Sequence, residues 1–160
     1  MIKKTVLIVD DCEIVRILAS RILAKMGLNT ILASNGLEAL DKIKLEHPDL
    51  VLLDIIMPKM NGYSVCRKIK SEPEIMNIPV VFCSSKKQEA DAYWAMKQGA
   101  NGYLSKPIRE SELMAIMARF NIIANVKNKY SDQFLYKQGC VRILSPGIES
   151  KSNSYQLCPT

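Results

Sequence analysis

The apolar run Leu50–Leu53, which ends on Asp54, constrains the fold of this chain more than any other feature. A run of strand length without polar alternation, with a proline nearby on each side, is typical of a strand that is buried on both faces. Such strands occur in parallel sheets that are covered by helices. A second apolar run, Thr5–Val9, ends in the same way on Asp10 and Asp11. Ligands of open α/β sheets bind at the carboxyl ends of the strands, so these three carboxylates are expected to share one crevice.

Strands and helices alternate along most of the chain. The strands are predicted at Thr5–Val9, Asn29–Ala33, Leu50–Asp54, Val80–Cys83 and Gly102–Ser105, and the helices at Glu13–Met26, Leu37–Leu45, Tyr63–Ile69, Glu89–Gln98 and Glu110–Ala124. This alternation indicates the α/β class, with a parallel sheet, right-handed crossovers and helices on both faces. In the first helix, the apolar residues at helical spacing are expected to face the sheet. They are Ile14, Ile17, Leu18, Ile22 and Met26.

The last part of the chain, residues 125–160, differs in composition from the rest. The final 40 residues hold five Lys or Arg and two Asp or Glu, which is half of the net charge of +6. The segment is rich in Asn, Ser and Lys and has few apolar residues, so we predict a largely disordered or weakly structured extension. A candidate hairpin joins residues 133–136 to residues 141–144 across a Gln-Gly pair.

Composition also disfavours several classes of protein. The single histidine, His47, and the lack of a CxxC pair among the five cysteines disfavour a zinc site. We expect no membrane insertion, because no apolar stretch is long enough to span a bilayer, and no nucleic-acid partner, because like charges do not cluster. The odd cysteine count and the absence of a secretion signal predict a reducing, cytoplasmic location.

Polar residues with complementary chemistry follow four of the predicted strands. Asp10 and Asp11 follow the first strand, Asp54 ends the third, Ser84 ends the fourth and Lys106 follows the fifth. Converging carboxylates repel one another unless a cation lies among them, and a few oxygen ligands with open positions suit Mg²⁺. The metal, an ammonium and a hydroxyl could stabilise a transferring phosphoryl group, and a carboxylate can accept it covalently.

Four motifs resemble the receiver domains of two-component response regulators. They are Val-Asp-Asp at 9–11, Leu-Asp-Ile-Ile-Met-Pro-Lys-Met-Asn-Gly at 53–62, Cys-Ser-Ser at 83–85 and Gly-Tyr-Leu-Ser-Lys-Pro at 102–107. The resemblance covers about residues 3–122 and implies a receiver domain over residues 1–124. It also implies the flavodoxin-like (CheY-like) fold, a doubly wound sheet of five parallel strands in the order 2-1-3-4-5 with five helices.

The resemblance implies a role for each site residue. Asp54 would be the phosphoacceptor, and Asp11, Asp54 and the backbone carbonyl of Ile56 would bind Mg²⁺, assisted by Asp10. Lys106 would contact the phosphoryl group. The protein would then be a phosphoacceptor that assists its own phosphorylation and dephosphorylation, and not an enzyme that acts on a separate substrate.

The resemblance also implies a switch and partners. Ser84 would turn toward the phosphoryl group, and Tyr103 would change rotamer with it. The change would be read by a downstream protein on the face formed by the fourth helix, the fifth strand and the fifth helix. A sensor histidine kinase would donate the phosphoryl group, and a homodimer is a further option. The segment 88–100 resembles the fourth helix of stand-alone receivers in type IV pilus pathways, which implies a role in pilus-based motility or chemosensing.

Two positions depart from the chemotaxis type of this family. Ile56 stands two residues after the phosphoacceptor and Lys86 two residues after Ser84. In this family these positions help to set how fast the acyl phosphate hydrolyses, and an apolar side chain cannot orient an attacking water. We therefore expect a long-lived phosphorylated state.

Other interpretations of the sequence remain open at this point. The carboxylates could each cap a helix, and Tyr103 could serve only in packing. Tyr93 and Trp94 could either anchor a partner or pack inward. For the whole protein, the alternatives are a Mg²⁺-dependent aspartyl phosphohydrolase and a scaffold that is never phosphorylated.

Overall fold

The computed structural model describes residues 2–86 and 89–123 of the chain. The strands are β1 (Thr5–Val9), β2 (Asn29–Ala33), β3 (Leu50–Asp54), β4 (Val80–Ser84) and β5 (Gly102–Ser105), and the helices are α1 (Glu13–Lys25), α2 (Gly36–Glu46), α3 (Gly62–Ser71), α4 (Glu89–Lys97) and α5 (Glu110–Arg119). The strands form one parallel sheet in the order β2-β1-β3-β4-β5. This confirms the predicted fold class and strand order.

The sheet separates two apolar cores, because successive residues of a strand point to opposite faces. On one face Leu7 and Leu53 pack with the buried sides of α2, α3 and α4. On the other face Ile8 and Leu52 pack with α1 and α5. Every residue of β3 is buried, as its unbroken apolar run predicts. Truncation of one such leucine to alanine typically costs about 2–5 kcal/mol of stability.

The predicted inner face of α1 is wrong for three of its five residues. Ile14, Ile17 and Leu18 are exposed, and the buried residues of the helix are Ala19 and Leu23. Apolar residues occupy more than half of the circumference of this helix, so periodicity alone could not determine which part of it meets the sheet. The small side chain of Ala19 allows close packing there, and an apolar strip is left facing solvent.

The last described helix is shorter than predicted, since α5 ends at Arg119 and not near Ala124. Asn121 adopts a left-handed conformation (φ 53°), and its amide donates to the Ala118 carbonyl. The Ile122 amide then donates to the Met117 carbonyl at 2.8 Å. These are the two hydrogen bonds of a Schellman C-cap, and asparagine is one of the residues that accept this conformation.

Two further expectations concern membrane crossing and residues 125–160. No described helix combines the length and the apolarity that a membrane crossing requires. The predicted extension over residues 125–160, with its candidate hairpin, lies outside the described residues.

Candidate functional site at the carboxyl edge of the sheet

The three aspartates meet where β1 and β3 end. The register of these strands pairs Val9 with Leu53, so Asp10 and Asp54 follow as neighbours at the edge of the sheet. One carboxylate oxygen from each of Asp10, Asp11 and Asp54 lies within 4.8 Å of the others. Asp10 and Asp54 are buried and Asp11 is exposed, so the group opens to solvent on one side. The structure thus brings together the carboxylates that the sequence placed at strand ends.

Lys106 reaches the carboxylates from the end of β5. Its Nζ lies 2.5 Å from Oδ2 of Asp10 and 3.4 Å from Oδ2 of Asp54. A single ammonium faces three carboxylates, so the group carries excess negative charge. Carboxylate oxygens that converge in this number, with one side open to water, are the donor set that Mg²⁺ accepts. Asp10, Asp11 and Asp54 therefore fit a divalent cation.

The ionisation of the site reflects burial and this charge imbalance. Burial raises the pKa of Asp54, the charge of Asp10 raises it further, and the nearby Lys106 opposes both. Burial by itself would lower the pKa of Lys106, but its hydrogen bond to Asp10 and the charge of Asp54 outweigh burial and raise that pKa. Lys106 is therefore firmly cationic, whereas Asp54 is a less stable anion than an exposed aspartate.

Backbone contacts hold Asp10 in place. Its Oδ1 accepts a hydrogen bond from the Cys12 amide at 2.9 Å, and its carbonyl accepts one from the Arg16 guanidinium at 2.6 Å. The same guanidinium reaches the carbonyl of Asp11 at 3.2 Å. The turn between β1 and α1 is thus tied to the first turns of the helix. Arg16 was not predictable as a site residue, because the sequence pattern shows it only as a polar residue of an amphipathic helix.

Gly62 lies directly against the backbone of Asp54. Its amide donates to the Ile55 carbonyl at 2.8 Å, and a Cβ at this position would collide with the carbonyl oxygen of Asp54. Asn61 caps α3 by accepting a hydrogen bond from the Ser64 amide at 2.9 Å. The Asn-Gly pair was predicted only as a break between elements. The close approach to Asp54 is a tertiary contact that no local pattern reveals.

Ser84 and Tyr103 both bind the backbone of one residue, Lys86. Ser84 is buried, and its Oγ accepts a hydrogen bond from the Lys86 amide at 3.2 Å. The hydroxyl of the buried Tyr103 donates to the Lys86 carbonyl at 2.7 Å. The ammonium of Lys86 lies 3.7 Å from Oδ1 of Asp91 in α4. Lys86 stood out in the sequence only as a departure from the family pattern, yet it links β4, β5 and α4.

The exposed surface of α4 carries two aromatic rings. Tyr93 and Trp94 are 43% and 59% exposed. Their rings meet edge to face with centroids 6.3 Å apart, and the ammonium of Lys97 lies 5.3 Å from the Tyr93 ring centroid. Of the two interpretations left open for these residues, inward packing is therefore wrong for both side chains.

The buried thiols of the described residues are poor nucleophiles. Burial raises the pKa of Cys83 to about 12 and that of Cys66 to about 11. Thiols with such pKa values are almost entirely protonated near neutral pH, and the thiolate is the reactive form. Both cysteines therefore serve in packing.

The family model of the response regulator receiver domain matches residues 6–118 of the sequence. The chain belongs to this family. Receiver domains are signalling phosphoacceptors that take phosphoryl groups from histidine kinases and bind Mg²⁺ through an acidic pocket. The resemblance that the four motifs carry is thereby confirmed at the level of the family.

Relatives of this receiver include stand-alone and longer proteins. Protein PilH of Pseudomonas aeruginosa is 38% identical over 109 residues, which are 68% of this chain and 90% of PilH. The probable transcriptional regulator ycf27 of Cyanophora paradoxa is 40% identical over 114 residues, which are 71% of this chain but 46% of ycf27. A solved neighbour is a chain of the CheX–CheY–BeF3–Mg complex of Borrelia burgdorferi, with a TM-score of 0.68, 30% identity and coverage of 73% of this chain and 89% of that chain.

Proposed function

We propose that this receiver accepts a phosphoryl group on Asp54 from the phosphohistidine of a sensor kinase, with Mg²⁺ held by Asp11, Asp54 and the Ile56 carbonyl. The observation that carries the proposal is the cluster of three aspartates within 4.8 Å, with Lys106 at 3.4 Å from Asp54. The cluster combines a nucleophile, a metal site and a fixed cation at one open edge of the sheet.

In the transfer, a carboxylate oxygen of Asp54 attacks phosphorus in line as the phosphorus–nitrogen bond to the donor histidine breaks. The leaving imidazole keeps the electron pair of that bond and is protonated. Lys106 stays cationic because its carboxylate neighbours raise its pKa, so it can balance charge on the phosphoryl oxygens. Asp10 holds Lys106 at 2.5 Å and thereby positions it. Bound Mg²⁺ would supply further charge neutralisation.

The readout proposed here is a shift between two states of the surface formed by α4, β5 and α5. Ser84 leaves the Lys86 amide and donates to a phosphoryl oxygen. Tyr103 donates to the carbonyl of the same residue, Lys86, so its environment changes with Ser84. A downstream protein then binds the altered surface, which includes Tyr93 and Trp94.

The phosphorylated state is proposed to be long-lived. Ile56 is 61% exposed beside the site and offers no polar atom in its side chain to orient an attacking water. The same residue argues against an aspartyl phosphohydrolase, which would usually need an acid two residues after its nucleophile. A scaffold without phosphorylation would have no use for the metal site and the partly buried Lys106.

The biological setting proposed is pilus-based motility or related chemosensing, in the cytoplasm. The similarity to PilH, which this chain covers almost fully, supports it. The described cysteines Cys12, Cys66 and Cys83 are free thiols, which suits a reducing compartment. The receiver domain is proposed to span residues 1–124, followed by a basic extension over residues 125–160.

The decisive experiment is intact-protein mass spectrometry after incubation with acetyl phosphate and Mg²⁺. Wild type should gain one phosphoryl group, and Asp54→Ala should gain none. Asp41→Ala, which removes an exposed carboxylate of α2, is the matched control and should react like wild type. An adduct on Asp54→Ala, or none on wild type, would refute the assignment of the phosphoacceptor.

A further inference from the structure

The ion pair between Lys86 and Asp91 connects the loop after β4 with the first turn of α4. The Lys86 Nζ lies 3.7 Å from Oδ1 of Asp91, and the two side chains are 51% and 17% exposed. A partly exposed pair at this distance contributes little stability. A second anion near Lys86 could therefore take the ammonium away from Asp91.

The backbone of Lys86 is connected to the Asp54 site through Ser84. Its amide lies 3.2 Å from the hydroxyl of Ser84. Ser84 is the residue after Cys83, which pairs with Asp54 in the register of β3 and β4. The flexible side chain of Lys86 thus begins one hydrogen bond from Ser84 and now ends on α4. From the same backbone position it could extend toward the carboxyl edge of the sheet instead.

The charge balance of the site changes on phosphorylation. With a divalent cation, the three carboxylates and Lys106 would form a neutral group. Transfer replaces the single charge of the Asp54 carboxylate with about two charges on the phosphoryl oxygens. One negative charge is then left without a partner, and the nearby ammonium of Lys86 is available to offset it.

We propose that Asp91 and the phosphoryl group on Asp54 compete for the ammonium of Lys86, so that phosphorylation releases Asp91 and frees the first turn of α4. The inference rests on the proposed function and adds a positioning role for two residues outside the acidic cluster. Because Tyr93 and Trp94 follow Asp91 on the same helix, the release links the charge of the site to the exposed aromatic surface.

Beryllium trifluoride with Mg²⁺ is the probe, because it mimics a phosphoryl group on a carboxylate and binds reversibly. Trp94 is the only tryptophan of the chain, so its fluorescence reports on α4. Titration calorimetry measures the affinity for the probe independently of this fluorescence. The variants are Asp91→Asn, Lys86→Met and the double variant, with Asp41→Asn as a control for net charge. Asp91→Asn should tighten binding about twofold to fivefold, the range of an exposed ion pair. Lys86→Met should weaken binding, and Asp91→Asn should have no further effect in that background.

Two results would overturn the inference while leaving the proposed function intact. One is an equal effect of Asp91→Asn with and without Lys86, or no effect at all. The other is an equal gain from Asp41→Asn, which would reduce the effect to net charge. If wild type neither binds the probe nor forms the phosphoryl adduct on Asp54, the proposed function fails and the inference falls with it.

Discussion

In two clusters of this protein a lysine lies beside a carboxylate, but the pKa of the carboxylate is lowered in one cluster and raised in the other. At α2, Glu38 accepts hydrogen bonds from the Ser34 amide and hydroxyl, each at 2.8 Å, and pairs with Lys42 at 2.6 Å. Lys42 first and Ser34 second lower the pKa of Glu38 to about 2. At the carboxyl edge of the sheet, burial and Asp10 raise the pKa of Asp54 despite Lys106.

The difference teaches which features make a charged group structural and which make it reactive. Glu38 faces its donors in partly exposed surroundings, so its ionised form is stabilised and the pair supports the start of α2. Asp54 is buried among like charges that outnumber the ammonium, so its ionised form costs folding free energy. Binding of a divalent cation among the carboxylates would relieve this cost.

Helices α2 and α3 begin beside the two clusters, each at the glycine of an Asn-Gly pair. Substitution of these two glycines is the sharpest test of the comparison. A Cβ at Gly62 would collide with the Asp54 carbonyl oxygen. At Gly36 it would meet a side-chain methyl of Val65 first and the Met60 carbonyl oxygen at 2.9 Å, a milder backbone contact. Gly62→Ala should therefore destabilise the protein by about 3 kcal/mol and abolish phosphorylation. Gly36→Ala should cost less and leave phosphorylation measurable. Urea unfolding and the phosphoryl adduct mass check both variants, and equal losses would show that the loop at Asp54 is not specially constrained.

Neutralising Asp54 should stabilise the protein. In metal-free buffer at pH 7, Asp54→Asn is expected to raise the free energy of unfolding by about 1–2 kcal/mol, because it removes a buried like charge beside Asp10. The folded pKa of Asp54 is raised, so the folded protein takes up its proton first as the pH falls. The advantage of the variant should therefore shrink as the pH approaches the unfolded pKa of about 4. A variant less stable than wild type at pH 7 would contradict the account of the site.

Neutralising Glu38 should have the opposite sign and a smaller size. Glu38→Gln is expected to lose at most about 1 kcal/mol at pH 7, since solvent screens a pair that is about one third exposed. The folded pKa is lowered, so the contribution is complete above the unfolded pKa of about 4.3 and is lost as the pH falls toward 2. Thermal unfolding between pH 2 and pH 7 measures the difference. A loss that does not depend on pH would indicate that packing, and not charge, is responsible.

The sequence predicted the fold and the convergence of the site for a definite physical reason. Parallel strands present their carboxyl ends at one edge, so Asp10, Asp54 and Lys106 meet once the strands are recognised. Contacts that depend on packing geometry were not predictable in this way. The apolar face of α1 was assigned wrongly because Ala19 marks the packed side, and the links from Lys86 to Tyr103 and Asp91 join three elements.

The cap at the end of α5 determines where a shortened form of this protein can stop. The family match ends at residue 118, but Ile122 folds back onto the core beside Met117 and is 7% exposed. A fragment that stopped at 118 would lose both the cap and this buried side chain, worth about 1.5–3 kcal/mol by itself. A shortened form for expression or fusion must therefore keep the chain at least to residue 123.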